Sequence, residues 1–192
     1  ASMAALLVAA PAVAQSNDST VNQQGDANQA TVSQSGSSNT SKVDQLAANG
    51  VAKVDQSGDT NTSTVKQQDQ AGGTATVNQS GDTNTSSVEQ TSAAASAEVD
   101  QSGSGNSSTL SQGRPVGTTP QSGNQQALIV QTGDNNISEA DQRGTNGDLN
   151  LLQSGSGNYS SVKQPGGDNS AGDAETTGDV GITQGGDNNN SY

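Results

Sequence analysis

The chain contains no cysteine, histidine, tryptophan or phenylalanine, and only two tyrosines in 192 residues. Each absence excludes chemistry. Without Cys there is no disulfide framework, no thiolate nucleophile and no zinc–thiolate site. Without His there is no imidazole base, which removes Ser–His–Asp and Cys–His catalysis. Positive charge is scarce as well. Six Lys and Arg stand against 19 Asp and Glu, for a net charge of −13. Nucleic-acid binding is dominated by phosphate neutralisation, so that balance excludes nucleic acid as the expected partner. It also disfavours anionic membrane surfaces. Large apolar side chains are few: hydrophobic residues make up 27% of the chain, and only 26 are Val, Leu or Ile. Burial of apolar area offsets chain entropy, so a conventional enzyme core is not expected. Nor is a catalytic residue, a cofactor or a metal site. Composition alone reads as disorder.

What fills the chain is small or amide-bearing. Ser, Thr, Asn, Gln and Gly account for 112 of the 192 residues. The first fourteen residues stand apart. ASMAALLVAAPAVA is apolar, uncharged and ends Ala12-Val13-Ala14. This is the pattern of a secretory signal segment cut after Ala14, and it is too short to span a bilayer. The competing reading is an apolar N-terminal strand or cap. With the leader removed, residues 15–192 are expected as one repetitive, exported domain with no membrane insertion.

That domain is periodic. Gln23, Gln34, Gln45, Gln56 and Gln67 are 11 residues apart; after a step of 12, so are Gln79, Gln90, Gln101 and Gln112. Steps of 9 and 10 lead through Gln121 to Gln131, then 11-residue steps reach Gln142, Gln153 and Gln164, and Gln184 follows 20 later. Residues 56–67 read QSGDTNTSTVKQ and residues 79–90 read QSGDTNTSSVEQ. The shared frame is Q-x-G-x-x-N-x-[S/A]-x-φ-x-Q, with φ usually Val. Units close to the frame alternate with degenerate ones, so the larger period is near 22 residues.

Within a unit, [S/A]-x-V-x-Q alternates with period two, which places those side chains on one strand face. The inward positions are Val21, Val32, Val43, Val54, Val65, Val77, Val88, Val99 and Val162, each followed two residues later by a Gln. In that register all four lysines, Lys42, Lys53, Lys66 and Lys163, point outward, and a one-residue slip would bury them. The G-x-x-N segment is the corner, with Gly supplying positive φ and Asn tolerating left-handed geometry. Asp26, Asp59, Asp82, Asp134 and Asp187 fall in these turns. Two strands and two corners per 22 residues describe one coil of an all-β, flattened parallel β-solenoid, stacked at about 4.8 Å. About eight coils are expected, giving a length of roughly 40 Å. Equivalent residues then form ladders, with amides hydrogen-bonded along the axis as in cross-β assemblies. Pro115 and Pro120 within residues 113–123, and the segment 165–183, interrupt the register. In the latter only Val180 and Ile182 qualify as core.

The frame resembles the curlin repeat of curli fibre subunits, written S-x5-Q-x-G-x-x-N-x-A-x3-Q. The matching residues are Gln34, Gly36, Asn39 and Gln45; Gln56, Gly58, Asn61 and Gln67; Gln79, Gly81, Asn84 and Gln90. So are Gln101, Gly103, Asn106 and Gln112; Gln131, Gly133, Asn136 and Gln142; and Gln153, Gly155, Asn158 and Gln164. The family's Ala is mostly Ser here, Ala30 being an exception. The resemblance implies a secreted subunit that polymerises with itself into extracellular functional amyloid at the cell surface. It also implies export and nucleation proteins as partners and a place in the biofilm matrix and adhesion. The main rival is a soluble secreted β-solenoid that binds ice or glycan through a flat face. A disordered exported linker and a minor nucleating subunit are the others. The N-x-[S/T] sequons at Asn39, Asn61 and their equivalents are by-products of the corner.

Overall fold

The computed structural model describes residues 4–7, 16–68, 72–113, 124–143, 147–164 and 180–192. Sixteen strands follow in chain order. They are β1 (Ala4–Leu7), β2 (Asp18–Gln23), β3 (Gln29–Ser35), β4 (Thr40–Gln45), β5 (Val51–Ser57) and β6 (Thr62–Gln67). Next come β7 (Thr74–Ser80), β8 (Thr85–Gln90), β9 (Ser96–Ser102), β10 (Ser107–Gln112), β11 (Gln126–Thr132) and β12 (Ile137–Gln142). The last are β13 (Asp148–Ser154), β14 (Tyr159–Gln164), β15 (Val180–Gln184) and β16 (Asn190–Ser191). Odd-numbered strands form one eight-stranded parallel sheet and even-numbered strands another. The chain alternates between them, so the molecule is a two-sheet parallel β-solenoid. About six turns carry full-length strands in both sheets, from β3 to β14. The eight coils anticipated from the repeat count are approached only by including the short strands at the ends. Residues Ala4–Leu7, inside the expected leader, pair in parallel with β3, Ala4 opposite Gln29 and Leu7 opposite Val32.

Register follows the repeat. Val43 lies beside Val21 and Val65, and Gln45 beside Gln23 and Gln67. Most coils advance by 22 residues. The longer steps are accommodated by extra residues at the corners: Gln126 pairs with Ser96 and Val180 with Leu149. The coil therefore passes from Gln101 directly to Gln131 and from Gln112 to Gln142. The 9- and 10-residue steps through Gln121 do not mark a separate stacked unit. Gln121 itself, Pro115, Pro120, Ala14, Gln15 and residues 165–179 lie outside the described residues.

The core is one residue thick. Ala30, Val32, Val43, Val54, Val65, Val77, Val88, Val99, Leu110, Ile129, Leu151 and Val162 are buried in a single cluster, with Val21 and Ile182 packed against it. Val takes these places because its branched side chain fits a pleated surface. Alternation in the burial pattern is regular, as in β5, where Ala52, Val54 and Gln56 are buried and Val51 and Lys53 exposed. All four lysines point outward. Lys42 and Lys53 pair with Asp44 and Asp55 two residues along the same strand face, at 2.7 and 2.6 Å, and Lys66 reaches Glu89 on the next coil at 3.3 Å. The bond to Asp55 raises the Lys53 pKa above its ordinary value.

Candidate functional site

No single pocket holds the candidate functional residues. They form columns that run the length of the solenoid. The odd sheet contributes Gln34, Gln56, Gln79, Gln101, Gln131, Gln153 and Gln184. The even sheet contributes Gln23, Gln45, Gln67, Gln90, Gln112, Gln142 and Gln164. In both columns the Nε2 of each Gln donates to the Oε1 of the Gln on the following coil. The distances are 2.7 Å from Gln23 to Gln45 and 2.8 Å for Gln34–Gln56, Gln56–Gln79, Gln79–Gln101, Gln101–Gln131, Gln131–Gln153 and Gln153–Gln184. The even column continues at 2.8–2.9 Å through Gln67, Gln90, Gln112 and Gln142 to Gln164. The second N–H of the same amide crosses the core. Gln56 donates to Thr40 O, Gln79 to Thr62 O, Gln101 to Thr85 O and Gln153 to Ile137 O, at 3.0–3.1 Å. One side chain thus joins two coils and two sheets. The columns are followed from sequence spacing alone; the cross-sheet bond is not, because its acceptor is a backbone carbonyl that carries no residue signature.

The corners carry a third column. Asn39, Asn61, Asn84, Asn106, Asn136 and Asn158 are fully buried. Asn61 shows the pattern: its Nδ2 donates within the coil to Ser57 O at 3.1 Å and onward to Gly81 O at 2.7 Å. Its Oδ1 accepts from Asn84 N at 2.9 Å. The column begins at Asn17, whose Oδ1 accepts from Asn39 N, and ends at Asn189, whose N donates to Asn158 Oδ1. The repeat Asn is not the left-handed residue of the turn. That conformation falls one position earlier, at Ser38, Thr60, Thr83 and Asn135 (φ 56 to 62°) and at Gly105 and Gly157. Asn is conserved in the frame for its three hydrogen bonds, while the preceding site takes whatever tolerates positive φ. Thr60 and Thr83 are strained there, since a β-branched side chain disfavours this region.

Gly36, Gly58, Gly81, Gly103, Gly133 and Gly155 stack on one another with φ between 92 and 102°. A Cβ on Gly81 would fall on the carbonyl oxygen of Gly103, and the same holds along the row. Beside them the turn aspartates face solvent and still make axial bonds. Asp59 Oδ1 accepts from Ser37 N at 2.8 Å and from Ser37 Oγ at 2.7 Å, which lowers its pKa below the ordinary carboxylate value. Asp82 Oδ1 accepts from Asp59 N, and Asp134 and Asp187 from Ser104 N and Ser156 N. Equivalent positions in this row are Ser37, Asp59, Asp82, Ser104, Asp134, Ser156 and Asp187. Only Asp59 and Asp82 are adjacent carboxylates; elsewhere serine separates the charges.

Two features carry no signal in the repeat frame. Gln125 is fully buried where neighbouring coils have Gly50, Gly73 and Ala95. It accepts from Ser92 Oγ at 2.7 Å and donates to Gln142 O at 3.0 Å. The inward Ser of the even sheet is the second feature. Ser41, Ser63, Ser86, Ser108, Ser138 and Ser160 are buried, and their Oγ atoms have no hydrogen-bond partner among the described residues. The neighbouring Gln amides are already committed. Tyr159 lies at the surface, its hydroxyl donating to Glu139 Oε2 at 3.1 Å and its ring tilted at 5.9 Å from that of Tyr192. The carboxylate raises the Tyr159 pKa. Among the described residues there is no group of three or more acidic side chains arranged to hold a metal. No described helix is long and apolar enough to cross a membrane.

The arrangement does nothing catalytic. It stacks: each coil presents to the next a set of backbone groups, two Gln amides and one Asn amide at fixed places. Comparison with family models matches residues 14–46 to the curlin associated repeat. Neither the curated proteins nor the solved structures give a match.

Proposed function

From a chain that carries the curlin associated repeat at residues 14–46, we propose a structural subunit of an extracellular, curli-like amyloid fibre. It joins copies of itself end to end and contributes to biofilm matrix and adhesion. Export and nucleation proteins of a curli-like system are its further partners. The reading of residues 1–14 as a secretory leader belongs to this proposal, as does the set of stacking residues named above. The observation that carries it is the continuity of the columns. Nothing in the coil-to-coil contact distinguishes a coil of the same chain from a coil of another. Edge strands present unpaired backbone groups that template further strands. Stacking one end on the other is a heterologous contact that does not close, so it grows a filament.

Charge supports regulated growth. The net charge of −13 opposes approach of two copies, and that opposition is screened by salt. Raised ionic strength, or acid that protonates the turn carboxylates, speeds fibre growth. The test is seeded growth of the purified chain followed by microscopy and fibre diffraction. A meridional repeat near 4.7–4.8 Å is expected, with rates that rise with salt. A chain that stays monomeric under all these conditions overturns the reading. The ice- or glycan-binding alternative needs uninterrupted outward Thr rows. Here Thr31 stands beside Lys53, and Thr76 lies between Lys53 and Glu98.

A further inference from the structure

The amide columns have a direction. In every step of both Gln columns the donor Nε2 belongs to the N-terminal coil and the acceptor Oε1 to the C-terminal coil. The Asn column agrees, since Asn39, Asn61, Asn84, Asn106 and Asn136 all donate Nδ2 to the Gly carbonyl of the following coil. A column built this way has unlike ends. Its N-terminal end is a side-chain acceptor and its C-terminal end a side-chain donor.

The acceptor end is visible in the even sheet. Strand β2 is the edge strand of that sheet. Its Gln23 is only 6% exposed. Gln23 Nε2 donates to Gln45, but Gln23 Oε1 is buried with no hydrogen-bond partner among the described residues. Every other Gln of this column receives an amide N–H on that oxygen. A buried acceptor with no donor has lost its water without replacement, and such groups are rare in folded proteins.

Resting on the fibre reading above, we propose that Gln23 Oε1 and the open edge of β2 form a docking site for one face of a second copy. That face is the end of the Gln column that closes with Gln164. The partner's amide N–H takes the place that Gln23 Nε2 takes towards Gln45, and β2 adds to the partner's even sheet in the register of the repeat. The same polarity forbids the symmetric alternatives. Two N-terminal faces would bring acceptor against acceptor, and two C-terminal faces donor against donor. Growth is therefore head-to-tail with one amide orientation throughout the filament, and an isologous dimer is not an intermediate.

The test uses wild-type seeds and soluble chain carrying Gln23→Met or Gln23→Glu, with rates expressed relative to wild type at each pH. Met keeps the volume and removes the acceptor. Elongation is expected to fall about tenfold, the order that one lost buried hydrogen bond carries. Glu at neutral pH sets a carboxylate against Gln45 Oε1 and is slow as well. Protonated, the carboxyl is shaped like the amide: its O–H donates to Gln45 Oε1 and its C=O accepts from the partner. Relative elongation of Gln23→Glu should recover as pH falls through its titration, near 4.3 for an unperturbed Glu, while Gln23→Met stays slow. Wild-type rates for both variants at neutral pH would overturn the docking site. So would a Gln23→Glu chain that fails to recover in acid. Failure of the wild-type chain to elongate at all would strike the fibre reading instead, which keeps the two outcomes distinct.

Discussion

Replacing the buried serines of the even sheet with alanine should stabilise the solenoid. Ser63, Ser86 and Ser108 are 0–1% exposed, and their Oγ atoms have no partner among the described residues. The opposite sheet makes the comparison internally, because its small inward residues, Ala52, Ala75 and Ala97, do the same packing without a hydroxyl. A buried, unsatisfied polar group costs about 1–3 kcal/mol. Truncating Ser to Ala recovers much of that and leaves a gap of one oxygen atom, smaller than a methyl. A net gain of about 1 kcal/mol per site follows. The three sites lie on successive coils and share neighbours, so a triple variant should gain about 2–3 kcal/mol rather than a strict sum. The assay is denaturant unfolding of the assembled solenoid, read as a higher midpoint at unchanged slope. The converse substitution Ala75→Ser should lower the midpoint by a similar amount. A loss of stability in all three single Ser→Ala variants would refute the argument and show that the hydroxyls are satisfied in solution.

The remaining predictions concern the corners and columns. Gly81→Ala combines positive φ with a Cβ on Gly103 O, and should cost about 4 kcal/mol or more by denaturant titration. Gly72→Ala has the same sign of φ but open space around the Cβ, so about 1–2 kcal/mol measures the backbone term alone. Gln101→Leu strips Gln79 Nε2 of its acceptor and both Gln131 Oε1 and Thr85 O of their donor. It should cost about 3 kcal/mol or more, against less than about 0.5 kcal/mol for the outward Thr76→Ala. Thr60→Asn should stabilise by about 1 kcal/mol, because Asn tolerates the left-handed conformation that Thr60 adopts at φ 62°. The Asp59 pKa is depressed by its bonds from Ser37. Its contribution is therefore present above the unfolded-state pKa and is lost as pH falls through the folded-state value. Paired unfolding curves should show wild type losing ground to Asp59→Asn in acid.

The solenoid is legible in the sequence because its rules are local and repeat. Val at every second residue before Gln fixes the inward face, and Gly two after Gln fixes the corner. What resists reading is what lies between chemically similar residues far apart in the chain. Gln121 stands at a plausible spacing, yet Gln101 bonds directly to Gln131. A loop can lengthen without disturbing the stack, so spacing counts residues and not coils. The left-handed position was assigned to Asn because Asn tolerates it. In the structure the Asn side chain is needed for bonds to Gly and to the next Asn, and the strain passes to its neighbour. Ser on the even sheet looks like neutral small packing in the sequence. Only the saturation of the Gln amides beside it leaves its hydroxyl without a partner.

Order in this chain is bound to neighbours. An interior Gln amide makes three side-chain bonds, accepting from the coil before, donating to the coil after and donating across to the opposite sheet. A coil at the N-terminal edge lacks the first of these, as Gln23 shows. With so little apolar area per coil, the amide bonds decide whether a coil stays folded, and an edge coil is the weakest. Docking a second copy converts an edge coil into an interior one and moves the deficit one subunit along. Each addition restores the same face it consumed. The gain per added copy is therefore constant along the filament, which is the condition for steady elongation rather than a closed assembly of fixed size.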